Sequence, residues 1–170
     1  MLNAITTIWN SLLKMQGWLL IVSSLLVVLA EGMTVIMRYF LKIDLFGMEE
    51  IIIIPAFWLY FIGASLGTYY KHHISAELVS EFVKNNYVRL WIRTLRSFVT
   101  TLICLIMFYW ATEFVLWSFS SGKTSSTWQI PEYIMHTSLF FGFLFMSMYF
   151  LVDLVKEIRE LIVQYKTYPS

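Results

Sequence analysis

Residues 16–38 read QGWLLIVSSLLVVLAEGMTVIMR. From Gly17 to Met37 the only charge is Glu31. A helix needs roughly 20 mostly apolar residues to cross the hydrocarbon layer of a bilayer, and this stretch supplies them. Moving outward along the chain, three more stretches have the same character, at about 50–70, 95–119 and 133–153. The fold class that follows is all-α: an integral membrane protein with four transmembrane helices in a single membrane domain, 1–170. Composition agrees. Charged residues make up 14 % of the chain, well under the roughly 25 % of soluble domains, and the segments between spans leave no room for a large soluble domain.

The remaining segments are short and amphipathic. Leu2, Ile5, Ile8, Trp9, Leu12 and Leu13 recur at helical spacing, which predicts an interfacial helix over 2–13. Ile74, Leu78, Val79, Phe82 and Val83 alternate with polar residues and predict a second, over 74–85. Trp18 suits one membrane interface, and Tyr39 and Phe40 the other. Pro55 falls in the first turns of span two, and Pro131 can open span four, where a missing N–H does least harm. Beyond Asp153 the apolar spacing continues through Leu154, Ile158 and Leu161, so span four should extend as an amphipathic tail. Lys14 precedes a run that is a full span with no small-residue cleavage pattern after it, so the first helix is expected to be retained.

Basic residues orient the chain. Placing the N-terminus in the cytoplasm puts Lys14, Lys71, Lys84, Arg89, Arg93, Arg96, Lys156, Arg159 and Lys166 inside, and only Arg38, Lys42 and Lys123 outside. The positive-inside rule then predicts that both termini are cytoplasmic. A net charge of +1 gives no reason to expect nucleic acid as a partner. Lipids are partners by the nature of the spans.

Few residues are candidates for chemistry. An ionisable group inside a membrane is by default a functional hypothesis. Glu31, about 20 Å along the helix from Trp18, is a proton-carrying carboxylate, a carboxyl held against a partner helix, or one that reaches toward the interface. Glu113, about 25 Å beyond Arg96, lies near the outer interface and reads more readily as structural. Glu49 and Glu50 open span two, where carboxylates face the positive end of the helix dipole; a contact to a partner protein explains them equally well. Gly63 and Gly67 form a Gly-x-x-x-Gly pair that permits close helix approach. Trp58 and Tyr60 lie deeper in span two, and packing within the chain is the simpler reading of both.

His72 and His73 lie at one end of the spans and His136 at the other. Ligands on opposite sides of a roughly 30 Å layer cannot share one iron, which argues against a haem anchor. Cys104 stands alone, so neither a disulfide nor a cysteine metal cluster is available. No nucleophile–base set, phosphate-cradling loop or paired metal ligands are visible. The sequence therefore predicts no catalytic, cofactor or metal site and no enzyme.

The order of short features is more specific than any one of them. Arg38 ends span one; Phe46-Gly47-Met48-Glu49-Glu50 opens span two and Gly63-Ala64-Ser65-Leu66-Gly67 closes it; Lys71-His72-His73-Ile74 and Gln129-Ile130-Pro131 follow. Over about residues 16–155 this resembles the small, four-helix membrane subunit of tripartite ATP-independent periplasmic (TRAP) transporters. One departure is that Gly47 and Met48 stand where the family often has a tryptophan; Phe46 is the substitute aromatic. The resemblance implies a sodium-coupled importer of organic acids in the bacterial inner membrane. In it a periplasmic substrate-binding protein captures the substrate, and a large multi-span subunit carries it by an elevator movement. The small subunit is the non-catalytic scaffold and helps dock the periplasmic protein. It also makes Arg38, Glu49, Glu50, Gly63, Gly67, His73, Ile130 and Pro131 candidates for the partner interface. A competing reading is a small proton-coupled multidrug exporter with Glu31 as the carrier carboxylate, although such proteins have shorter loops than 71–94.

Overall fold

The computed structural model describes residues 2–43, 45–70 and 86–167. The stretch that separates the second and third helices, and with it His73 and the helix expected over 74–85, lies outside the described residues.

Four long helices form where the apolar stretches predict them: α1 Leu2–Ile36, α2 Met48–Tyr70, α3 Asn86–Ser121 and α4 Tyr133–Thr167. At 1.5 Å per residue, α2 is close to one bilayer crossing, whereas the other three reach about 50 Å and outrun a 30 Å layer. Residues 2–13 are not a separate interfacial helix but the first turns of α1. Lys14 and Met15 are good helix formers, and no glycine or proline stands before Gly17, so nothing ends the helix there. α1 closes in a π-helical turn, Met37–Leu41, capped by Lys42 in the left-handed region at φ 54°. α3 ends at Gly122, whose φ of +58° suits the residue just past a helix C-terminus. α4 continues unbroken past Asp153, as its apolar spacing predicts.

The helices stand in a row in which α1 and α2 are antiparallel, as are α3 and α4, whereas α2 and α4, which both start at the same end, run parallel. α1 packs on α2, α2 on α4, and α4 on α3. The order across the row is therefore α1–α2–α4–α3, with α1 and α3 at the edges. One end of the row carries the connection 42–47 and the loop 122–132; it is called here the loop end.

On α3 the covered residues fall on one seam. Thr101, Cys104, Ala111, Val115 and Ser118 are buried, with Thr94, Ser97 and Phe108 partly so, at alternating spacings of three and four. Small side chains let α4 approach closely. Hydrogen bonds cross the seam between Cys104 Sγ and Ser147 Oγ (3.4 Å) and between Ser118 Oγ and His136 Nδ1 (2.8 Å). His136 thus serves helix packing, its ring also lying 4.5 Å from that of Phe114. The fixed points of α4 against α2 are Gly142, which meets Phe61, and the Trp58 Nε1 bond to the Ile134 carbonyl (3.3 Å). Trp58 is therefore a packing residue, while Tyr60 is 74 % exposed.

Away from the loop end, Gln16 of α1 is buried and its Oε1 accepts from Tyr149 Oη of α4 (3.1 Å) and faces Ser65 Oγ of α2 (3.4 Å). Trp9, Tyr69 and Tyr149 pack around it with ring centroids 5.3–6.1 Å apart. At the same end α3 and α4 are tied by Arg93 Nε to Glu157 Oε1 at 2.9 Å. Glu157 is buried, and its other oxygen has no hydrogen-bond partner among the described residues. Arg93→Leu removes the cation and strands that carboxylate. The expected loss is about 1–2 kcal/mol, below the roughly 3–5 kcal/mol of a fully buried pair, because the arginine side chain keeps 44 % of its exposure. Thermal unfolding of the purified chain in detergent reads it as a lowered midpoint.

Candidate interaction site

The loop end is built around the first turn of α2. Gly47 adopts φ +83°, a left-handed conformation that favours glycine. A Cβ there would lie 2.6 Å from Trp128 Nε1 and 2.8 Å from Thr127 Cγ2. The turn therefore needs a glycine for both its backbone and its packing. One turn later the Glu50 carboxylate reaches across to the loop between α3 and α4. Its oxygens accept the Thr127 N–H at 2.9 and 3.1 Å and the Trp128 N–H at 3.0 Å. Hydrogen bonds to an ionised acceptor are the strong class.

The loop is itself ordered by backbone pairing. Ser125 N–H donates to the Ile130 carbonyl (2.9 Å), Ile130 N–H to Ser125 Oγ (3.1 Å) and Glu132 N–H to the Lys123 carbonyl (3.1 Å). Gln129 takes φ +52° to close it. Residues 123–132 thus form a small hairpin, pinned by Glu50 onto the start of α2.

Between hairpin and helices lies a cleft of about 280 Å³, lined by Glu49, Glu50, Ile53, Ile54, Ser125, Ser126, Ile130, Pro131, Glu132 and Met135. Four residues singled out from sequence, Glu49, Glu50, Ile130 and Pro131, meet there. Glu50 turns inward to the hairpin; Glu49 is exposed. Phe46 (84 % exposed) and Trp128 (56 %) stand out beside it. The result is an apolar floor with acidic edges and protruding aromatics, a surface suited to a protein partner. Among the described residues no three His, Cys, Asp or Glu side chains gather as metal ligands would.

The other candidates are scattered. Arg38 is exposed in the π-helical turn. Gly63 touches Leu20 at ordinary distance, whereas Gly67 faces open space, so the pair does not bring two helices of this chain together. Glu31 is exposed on α1. Glu113 accepts a hydrogen bond from Tyr109 Oη at 2.8 Å, one turn away on the same helix.

With this arrangement in hand, comparison with known families is decisive: residues 26–160 match the family described as "Tripartite ATP-independent periplasmic transporters, DctQ component". The chain belongs to this family. No curated protein matches it. As a DctQ component it is a small membrane subunit of a TRAP transporter, a multi-pass membrane protein of a transport system. The match begins within α1 and ends within α4, so it includes the whole loop end. In this DctQ chain the aromatic that covers the turn before Glu49 comes from the hairpin, as Trp128, and Phe46 points away from the fold. Thr127 and Trp128 are not among the residues that the sequence singles out, and Gly47 figures there only as a departure from the family pattern, with no structural task. The signal for Gly47 was its place between Phe46 and a helix start, where a turn must reverse the chain.

Proposed function

We propose that this chain is the non-catalytic scaffold of a sodium-coupled TRAP importer of organic acids. It supports a large elevator-type membrane subunit and presents the loop-end cleft to the periplasmic substrate-binding protein. In this reading the chain sits in the bacterial inner membrane with both termini cytoplasmic, as its basic residues predict, and the loop end faces the periplasm.

The observation that carries it is the open row of helices. A transporter that moves substrate by itself needs a polar path enclosed by protein. Here α1 and α3 are edges whose outer faces are apolar and uncovered, which suits a body that lies against a neighbour. The test is to express the chain in a strain lacking its large partner and measure uptake of labelled organic acids. No uptake is expected from this chain alone, and full uptake when the large subunit and the periplasmic protein are restored. Uptake by the chain alone would overturn the reading.

A further inference from the structure

Glu31 has no hydrogen-bond or ion-pair partner among the described residues and is exposed on the edge helix α1. It lies seventeen residues beyond Lys14 and seven before Arg38, about 25 Å and about 10 Å along the helix. That is inside the hydrocarbon layer by either measure. A carboxylate there is costly against lipid and is found against protein or water. Glu113 on the opposite edge is different, because Tyr109 already supplies it with a donor.

The uncovered surface of α1 divides into two lanes. Gly17, Ser24, Glu31 and Arg38 recur every seven residues, and Ile21, Val28 and Val35 run beside them at the same period. A strict seven-residue repeat keeps one face toward a neighbouring helix. The next lane holds Trp18, Leu25, Leu29, Ile36 and Phe40, bulky and 54–82 % exposed, as a lipid-facing surface would be.

We infer that the Glu31 lane is where a transmembrane helix of the large subunit packs, bringing a cationic or hydrogen-bond-donating side chain to the level of Glu31. This rests on the proposed role of the chain as a subunit. A second copy of the chain does not fit the lane. A two-fold axis along the membrane normal sets each residue opposite itself, so Glu31 would face Glu31 in a medium that screens charge poorly. Lipid does not fit either, since it offers no donor at that depth.

The test is co-purification of the chain with a tagged large subunit, together with a benzoylphenylalanine photo-crosslinker at Val28 of the otherwise native chain. Glu31→Leu and Val28→Trp are expected to lower recovery of the complex at least tenfold. Glu31→Gln is expected to retain part of it, and Leu29→Trp, on the neighbouring lane, nearly all. Each variant alone should elute as the native chain does in detergent. The crosslinker should give a product of the combined mass of the two subunits. If the native chain co-purifies but Glu31→Leu and Val28→Trp do so equally well, or if the crosslink is to a second copy or to lipid only, the lane is not the interface, although the subunit role stands. If the native chain itself fails to co-purify, the subunit role fails.

Discussion

Gly142→Leu is expected to yield no folded chain, and Gly142→Ala to destabilise it by about 1–3 kcal/mol, the usual cost of overpacking a tight core. A Cβ at Gly142 would lie 2.7 Å from Phe61 Cβ, 3.0 Å from the Phe61 carbonyl oxygen and 3.2 Å from its carbonyl carbon. Two of those three atoms are backbone, so no side-chain rotation relieves the clash and α2 and α4 must separate. α4 is also the helix that carries α3, which means that the separation divides the row into α1–α2 and α4–α3. Thermal unfolding and size-exclusion profiles in detergent measure the effect. Gly67→Ala, which meets nothing within 4 Å, is the matched control and should fall within about 0.5 kcal/mol of the native chain. A Gly142→Ala chain as stable as that control would show that the close approach does not hold the row together.

The contrast between these glycines shows what the sequence reveals and what it hides. The existence of four spans is legible because span length is set by the bilayer and apolar runs of that length have few other uses. The lateral order α1–α2–α4–α3 is not, because in a membrane a helix-facing and a lipid-facing surface are both apolar. Gly63 and Gly67 match the familiar small-residue spacing, yet within this chain only Gly63 touches another helix. The same spacing occurs at Ser138 and Gly142, both buried, and there it does mark a contact. At the loop end the sequence brings Glu49, Glu50, Ile130 and Pro131 into consideration one by one. It cannot show that they share a cleft, since Glu50 and the Thr127 N–H that donates to it are 77 positions apart. The first-turn placement of Glu50 suggests a dipole effect; the geometry adds a longer-range task that no local pattern encodes.

That task leads to the second large effect. Glu50→Ala and Gly47→Val are expected to release the hairpin while leaving the four helices in place. Glu50→Ala removes the acceptor of the Thr127 and Trp128 N–H groups. Gly47→Val forces a β-branched side chain into a left-handed backbone and against the Trp128 indole, a conformation such residues rarely adopt. Neither residue belongs to the seams that join the helices, so the midpoint of thermal unfolding should change little. Lys123 reports on the hairpin directly: its carbonyl accepts the Glu132 N–H in the closed form, and trypsin cuts after it only when the strand peels away. Cleavage at Lys123 in reconstituted vesicles should be at least tenfold faster in both variants, with Glu50→Gln between them and the native chain because an amide retains one accepting oxygen. If the cleft receives the periplasmic protein, the same variants need more of that protein to reach half-maximal uptake, while uptake at saturation falls less. Native rates of cleavage would mean that the hairpin holds its shape without the clamp. Faster cleavage with an unchanged requirement for the periplasmic protein would instead separate the clamp from docking, and leave Glu50 and Gly47 as residues that order a loop with no part in recognition.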